Sequence, residues 1–172
     1  MKSLAALFLG ATVIFSVLHR IFSEEWLLST AISCGTAWYH FAMRLLVGAL
    51  VPPALTASSW FRPHKWEASL YRLLRVKHWK KHLPTYDPRQ FSLKENTREQ
   101  VLSNMCSAEA VHEIIMLCSF LPLLVIPVFG AWPVFLITSI LAALFDSLFV
   151  MAQRYNRPRL ERILEKQEAR SK

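Results

Sequence analysis

Glycine, acidic residues and cysteine are all scarce in this sequence. Only four of its 172 residues are glycine, while 53% are hydrophobic and the mean hydropathy is +0.29. Together these values exclude a disordered chain and a fibrous repeat. Asp and Glu number 12 against 20 Lys and Arg, which gives a formal charge of +8. Basic residues beside apolar stretches are typical of cytoplasmic membrane loops, so we do not expect nucleic acid as a partner.

The three cysteines do not form a recognisable framework. Cys34, Cys106 and Cys118 are odd in number, show no CxxC spacing and lie in or beside apolar segments. This pattern supports neither a set of disulfides nor a zinc knuckle.

Long apolar stretches are what the sequence has in abundance. A helix in a soluble core needs only one apolar stripe, whereas a transmembrane helix needs about 20 mostly apolar residues in a row. The sequence therefore predicts an all-α, polytopic membrane protein, a single membrane-embedded domain with four transmembrane helices in two hairpins. The predicted spans are residues 4–22, 26–50, 108–129 and 132–152.

The first stretch also fits a signal peptide, because Lys2 precedes it. We predict a retained span, since the residues around Ser16 and Arg20 lack the small-residue cleavage pattern and a second apolar stretch follows closely. Pro52-Pro53 cannot continue a helix and is predicted to close the second span.

Lys and Arg are distributed unevenly between the loops. Ten lie between residues 53 and 108 and seven follow Gln153, whereas the turn at Glu24-Glu25 has none. By the positive-inside rule, this predicts a multi-pass cell-membrane protein with both termini in the cytoplasm. The interfacial region 53–107 and the tail 153–172 are then cytoplasmic as well.

The interfacial region alternates aromatic and basic residues. From Trp60 to Lys81 this alternation predicts an amphipathic helix at headgroup depth, which also suits a pocket for an amphiphilic substrate with a phosphate-bearing head. Residues 91–105 predict a second short helix, placed on the membrane or over the site as a lid.

One histidine and two carboxylates form the candidate catalytic group. Glu109 and His112 lie three residues apart and share a helix face, and an imidazole beside a carboxylate suits proton abstraction from a hydroxyl. A turn near Gly130 brings Asp146 to a similar depth on the next helix. We expect Asp146 to reach this pair or a substrate hydroxyl; the alternative is a structural hydrogen bond to a neighbouring helix.

Three arginines follow the fourth span and flank Pro158. Proline favours the first turn of a helix, so a new helix is predicted to start there. Guanidinium groups and a helix N-terminus both suit phosphate. The arginines are Arg154, Arg157 and Arg159.

At this point the sequence resembles a known family. The octapeptide QRYNRPRL at residues 153–160, preceded by an apolar span, by Ala108-Glu109 and by His112, resembles the glycosyl-4,4'-diaponeurosporenoate acyltransferase family of carotenoid-tailoring membrane enzymes. The segment VKHWK at residues 76–80 and Pro122 match as well. The resemblance covers residues 71 to 160.

The resemblance implies transfer of a fatty acyl group from an acyl-CoA or acyl-carrier thioester to a sugar hydroxyl of a glycosylated carotenoid in the bilayer. No cofactor beyond this co-substrate is expected. In that reaction His112 would act as the base, with Glu109 orienting its ring. The three arginines would hold the donor phosphates, and the entrance or oxyanion contacts would come from Trp79, Lys80 and Asn156.

Two positions depart from the pattern of the family. The family tends to have Arg where this chain has Ser107, and Asn where this chain has Asp146. Two other function classes also stay open. A membrane oxygenase or desaturase would use Glu109, His112, His78 and His82 as metal ligands. A non-catalytic assembly protein would not depend on His112.

Overall fold

A computed structural model describes residues 1–51, 59–84 and 87–171. These ranges contain seven α-helices and no strand, which confirms the all-α prediction. The predicted end of the second helix at Pro52-Pro53 lies outside the described residues. The helices are α1 (Lys2–Phe22), α2 (Glu25–Leu50), α3 (Glu67–Leu73), α4 (Val76–Trp79), α5 (Arg98–Cys118), α6 (Ile126–Phe129) and α7 (Trp132–Ser171). Short 3₁₀ turns lie at Ser59–Phe61, Lys80–His82, Pro88–Phe91 and Leu121–Val125.

The chain divides into two compact units. The first combines Met1–Leu50 with Ile114–Phe145, and the second combines Val51–Glu113 with Asp146–Lys172. Helices α5 and α7 each contribute residues to both units. The single domain predicted from the sequence stays a prediction.

Among the described residues, three helical stretches are long and apolar enough to cross a bilayer. They are Lys2–Phe22, Arg98–Phe129 and Trp132–Lys166. Within α1 only Ala5 is buried, so the large apolar side chains of this helix face outward, as contact with lipid requires. The structure is therefore compatible with a multi-pass membrane protein. Helix α2 is not among the three stretches, and four spans in two hairpins stay a prediction.

In the first unit, α1 and α2 pack side by side. The ring of Phe8 stacks on Phe41 with centroids 5.7 Å apart, and Phe15 meets Trp26 edge-on at 6.5 Å. Because the paired positions run in opposite order along the two helices, the helices are antiparallel. Ser23 ends α1 in the left-handed conformation, and its N–H donates to the His19 carbonyl at 2.7 Å.

Helix α5 begins ten residues earlier than the predicted third span. The Thr97 hydroxyl accepts from the Gln100 N–H at 3.2 Å, and the Gln100 side chain accepts from the Thr97 N–H at 2.8 Å. This reciprocal pair is a capping box, which stabilises a helix start at Arg98. The predicted separate helix over 91–105 is therefore wrong, because its second half is the first part of α5.

Helix α7 continues without interruption for 40 residues. The prediction that a new helix starts at Pro158 is wrong, because this proline lies inside α7. At about 1.5 Å per residue the helix is roughly 60 Å long, twice the thickness of a bilayer core. Its second half therefore has the length to extend beyond the hydrocarbon.

A hydrogen bond from α2 satisfies a backbone carbonyl at the end of α5. Proline has no N–H, so Pro122 cannot donate to the carbonyl of Cys118 four residues earlier. The Tyr39 hydroxyl donates to this carbonyl instead, at 2.7 Å. In a bilayer a backbone carbonyl needs such an internal donor.

We expect Tyr39→Phe to lower the free energy of unfolding by about 1 kcal/mol, because the Cys118 carbonyl loses its donor. Denaturant titration in detergent micelles measures the change. Pro122→Ala restores an N–H at residue 122 and allows α5 to extend, so that this N–H can bind the Cys118 carbonyl and Tyr39→Phe should cost less in this background. An equal cost in both backgrounds would contradict this role of Tyr39.

Candidate active site

A buried carboxylate on α5 holds two arginines of α7. Glu109 Oε1 accepts from Arg154 Nε at 2.7 Å, and Oε2 accepts from Arg157. Glu109 and Arg157 are both 0% exposed, and Arg157 also donates to the Phe61 carbonyl. The two arginines are three residues apart, which places them on one face of α7.

Arg154 extends this network to α3. Its guanidinium donates to Glu67 at 2.5 Å and to the Trp60 carbonyl at 2.9 Å. Glu67 is only 2% exposed and also accepts from the Tyr71 hydroxyl at 2.9 Å and from the His64 N–H at 3.1 Å. Burial first, and then this bond to Glu67, raise the pKa of the Tyr71 hydroxyl. We call this group the ion-pair cluster; its members are Glu67, Glu109, Arg154 and Arg157.

The histidine predicted as a base is held by the other predicted carboxylate. His112 Nδ1 lies 2.8 Å from Asp146 Oδ1, and the Asp146 side chain is only 1% exposed. The imidazole stacks on Phe149 with centroids 4.5 Å apart and planes 9° apart. Glu109 was expected to orient this ring, but its oxygen atoms face the arginines and Asp146 takes that place.

This contact fixes which nitrogen of His112 can act as a base. An ionised carboxylate only accepts hydrogen bonds, so Asp146 selects the tautomer that donates from Nδ1. The lone pair is then on Nε2. The His112 side chain is 24% exposed, so it is only partly buried.

Two of the residues predicted to bind substrate lie against the ring of Tyr155. Lys80 lies 4.6 Å from the ring centroid and Arg159 lies 4.8 Å from it. Lys80 also donates to the Asn156 side chain. Burial, followed by the neighbouring Arg159 charge, lowers the pKa of Lys80. Two predicted polar contacts, Lys80 and Asn156, are thus side by side.

The remaining predicted contact, Trp79, uses its indole N–H within the chain. It donates to the Leu74 carbonyl at 2.9 Å. Arg157 is likewise occupied, because its guanidinium is buried against Glu109. The predicted contacts of Trp79 and Arg157 with substrate stay predictions.

A pocket with a volume of about 470 Å³ adjoins the ion-pair cluster and includes Glu67 and Arg154 in its lining. We call it the basic groove, because six of its side chains are Arg or Lys and Glu67 alone among them is acidic. Its lining is Pro63, His64, Glu67, Ala68, Tyr71, Arg72, Arg75, Lys77, His78, Arg154, Tyr155, Pro158, Arg159 and Arg162.

The corner between α3 and α4 is strained. Arg75 adopts φ 51 and ψ 38, the left-handed region that costs an L-residue about 1–2 kcal/mol and that glycine occupies freely. The amphipathic helix predicted from Trp60 to Lys81 is therefore replaced by two short helices that meet at this residue.

A comparison with models of protein families identifies the family of this chain. A model described as glycosyl-4,4'-diaponeurosporenoate acyltransferase matches residues 57–166, more than half of the chain. The chain belongs to this acyltransferase family. No curated protein and no solved structure gives a significant match.

Membership of the glycosyl-4,4'-diaponeurosporenoate acyltransferase family confirms the resemblance seen in the sequence. The chain is an acyltransferase, and its family acts in carotenoid synthesis. Almost all residues of the second unit fall within the matched segment, including the ion-pair cluster, the His112–Asp146 pair and the basic groove. The alternative of a non-catalytic assembly protein is therefore set aside.

A metal centre in this acyltransferase would need Glu109, His112, His78 and His82 to converge. Over residues 1–51, 59–84 and 87–171, no three His, Cys, Asp or Glu side chains are placed to hold a metal ion. Both oxygen atoms of Glu109 bind arginine instead.

The sequence did not single out Glu67 or Phe149 as parts of the site. Glu67 and Tyr71 are four residues apart on α3, a spacing that allows their hydrogen bond. Phe149 follows Asp146 by three residues, so both face the same neighbour. Both spacings can be recognised in the sequence. The contact of Glu67 with Arg154, however, joins residues 87 positions apart, and no local spacing indicates it.

We expect Glu109→Leu to lower the free energy of unfolding by about 3–5 kcal/mol, because it leaves Arg157 as a buried charge without its carboxylate. Chemical denaturation in micelles measures this loss. The double variant Glu109→Leu, Arg157→Met removes both charges and should recover most of the stability. A double variant no more stable than the single one would contradict the buried pair.

Proposed function

We propose that this acyltransferase moves a fatty acyl group from an acyl-CoA or acyl-carrier thioester to a sugar hydroxyl of a glycosylated carotenoid or similar glycolipid. The observation that carries the proposal is the contact between His112 and Asp146. It gives an imidazole a fixed tautomer and an accessible side chain, as general-base catalysis requires.

The reaction is a direct transfer without a covalent enzyme intermediate. Nε2 of His112 takes the proton of the acceptor hydroxyl while the oxygen attacks the thioester carbonyl carbon. The tetrahedral intermediate collapses, the carbon–sulfur bond breaks, and the imidazolium returns its proton to the departing thiolate. The products are an ester and a free thiol. Asp146 stabilises the imidazolium while it exists.

Negative charge develops on the carbonyl oxygen during the attack. Lys80 and Asn156 are polar side chains within the matched family segment and bind each other. We assign them to this oxyanion, since both keep further N–H groups after their mutual contact.

The acceptor is expected to enter from the bilayer. Helix α1 and the apolar part of α7 expose large hydrophobic side chains, such as Ile14 at 59% and Leu141 at 60%. We propose that α2 is the fourth span, packed on α1, and that both termini are cytoplasmic. Its charged residue Arg44 donates to the backbone carbonyls of His40 and Ala142, which lowers the cost of this side chain in hydrocarbon.

We expect His112→Ala to reduce acyl transfer by about 100- to 10,000-fold, the usual contribution of a general base. The measurement uses labelled acyl thioester and a glycolipid acceptor in nanodiscs. His82→Ala is the matched control, because His82 is exposed and has no role in this mechanism. Equal losses in both variants would favour the metal centre, and full activity of His112→Ala would contradict the proposal.

Asp146→Asn tests the charge on the orienting residue. Asparagine can still accept from Nδ1, and the family tends to have it here, but it does not stabilise the imidazolium by charge. We expect a loss of about tenfold, the difference between a neutral and a charge-assisted hydrogen bond. Asp146→Leu should lose as much activity as His112→Ala, with the thermal midpoint recorded alongside. Wild-type rates in Asp146→Leu would exclude the positioning role.

A further inference from the structure

The basic groove has the properties of a site for a multiply charged anion. Its volume of about 470 Å³ falls in the range of roughly 300–1,000 Å³ that is usual for small-molecule sites. Six cationic side chains face one concave surface, and their mutual repulsion disfavours an empty groove. A bound anion would remove this repulsion.

Most of these cations form no ion pair with the part of the chain that the structure describes. Among the described residues, Arg72, Arg75, Lys77 and Arg162 take part in no ion pair, whereas Arg154 is bound to carboxylates. Guanidinium groups can bind phosphate oxygens in pairs. The groove therefore offers several unused phosphate donors at once.

The strained corner adds an independent observation. Arg75 is held in a conformation that glycine would adopt at lower cost, and its side chain lines the groove. Strained backbone of this kind is found where a side chain is needed for function.

A flat aromatic surface adjoins the charged one. His64 lines the groove and stacks on Trp66, with centroids 6.1 Å apart and planes 10° apart. Trp66 is 61% exposed, so much of its indole is available for stacking with an aromatic base. A ligand that carries both phosphates and an aromatic base matches this surface.

We propose that the basic groove binds the nucleotide end of a CoA thioester, its adenine and three phosphates. This inference rests on the proposed acyl transfer and selects one of its two donors. Arg154 lines the groove and binds Glu109, which precedes His112 by one helical turn. The ion pair of Arg154 with Glu109 thus connects the groove, which residues of α3, α4 and α7 line, to the helix that carries the base.

Binding can be tested apart from catalysis. We would titrate the full chain in zwitterionic nanodiscs with adenosine 3',5'-bisphosphate and with CoA, using calorimetry. Both should bind, and each should displace the other. Loss of one charge-assisted contact in Arg75→Glu or Arg162→Glu should weaken both ligands about tenfold or more. Lys94→Glu, an exposed charge outside the groove, should bind like the wild type.

Arg75→Gly separates binding from folding. Glycine relieves the strained corner, so the thermal midpoint should hold or rise while affinity for adenosine 3',5'-bisphosphate falls about tenfold. Unchanged affinity in this variant, or no binding of either ligand to the wild type, would overturn the proposal. Transfer from acyl carrier protein but not from acyl-CoA would also overturn it, while leaving acyl transfer intact. Transfer from neither donor would instead reject the proposed function.

Discussion

The ion pairs of Glu109 with Arg154 and Arg157 are the interaction on which the second unit depends. They join α5 to α7 through charges that are removed from water. Removing one member of such a buried pair strongly destabilises the fold, because the other charge stays buried without a partner. Because the geometry of a buried pair is strict, the two helices meet in one register. That register brings His112 on α5 against Asp146 on α7, and it holds the ring in a single orientation.

The same cluster connects the candidate base with the basic groove. Arg154 donates to Glu109 one turn before His112, and it also donates to Glu67 in the wall of the groove. One guanidinium therefore touches the helix of the base and the surface proposed for the donor. The outward-facing side chains of α1 are largely apolar, whereas charged residues determine how the second unit is assembled.

Local patterns in the sequence predicted the helical class and four apolar spans, of which three correspond to helical stretches long and apolar enough to cross a bilayer among the described residues. They led us to expect Asp146 near the pair of Glu109 and His112, but they did not predict that Glu109 binds two arginines and leaves the imidazole to Asp146. The capping box of Thr97 and Gln100 indicates the early start of α5, whereas no local pattern in the sequence indicates that α7 continues through Pro158. A proline inside a helix costs about 3 kcal/mol or more, and the tertiary contacts of Arg154 and Arg157 that offset this cost are not visible in the local sequence.

The tautomer of His112 tests the central claim most directly. Nitrogen-15 NMR of the chain in nanodiscs, with histidine labelled and His112→Gln used to identify the signal, distinguishes the two ring nitrogens. We expect a protonated Nδ1 and an unprotonated Nε2 in the neutral ring, as the contact with Asp146 requires. A neutral ring protonated at Nε2 would contradict the base assigned to this acyltransferase.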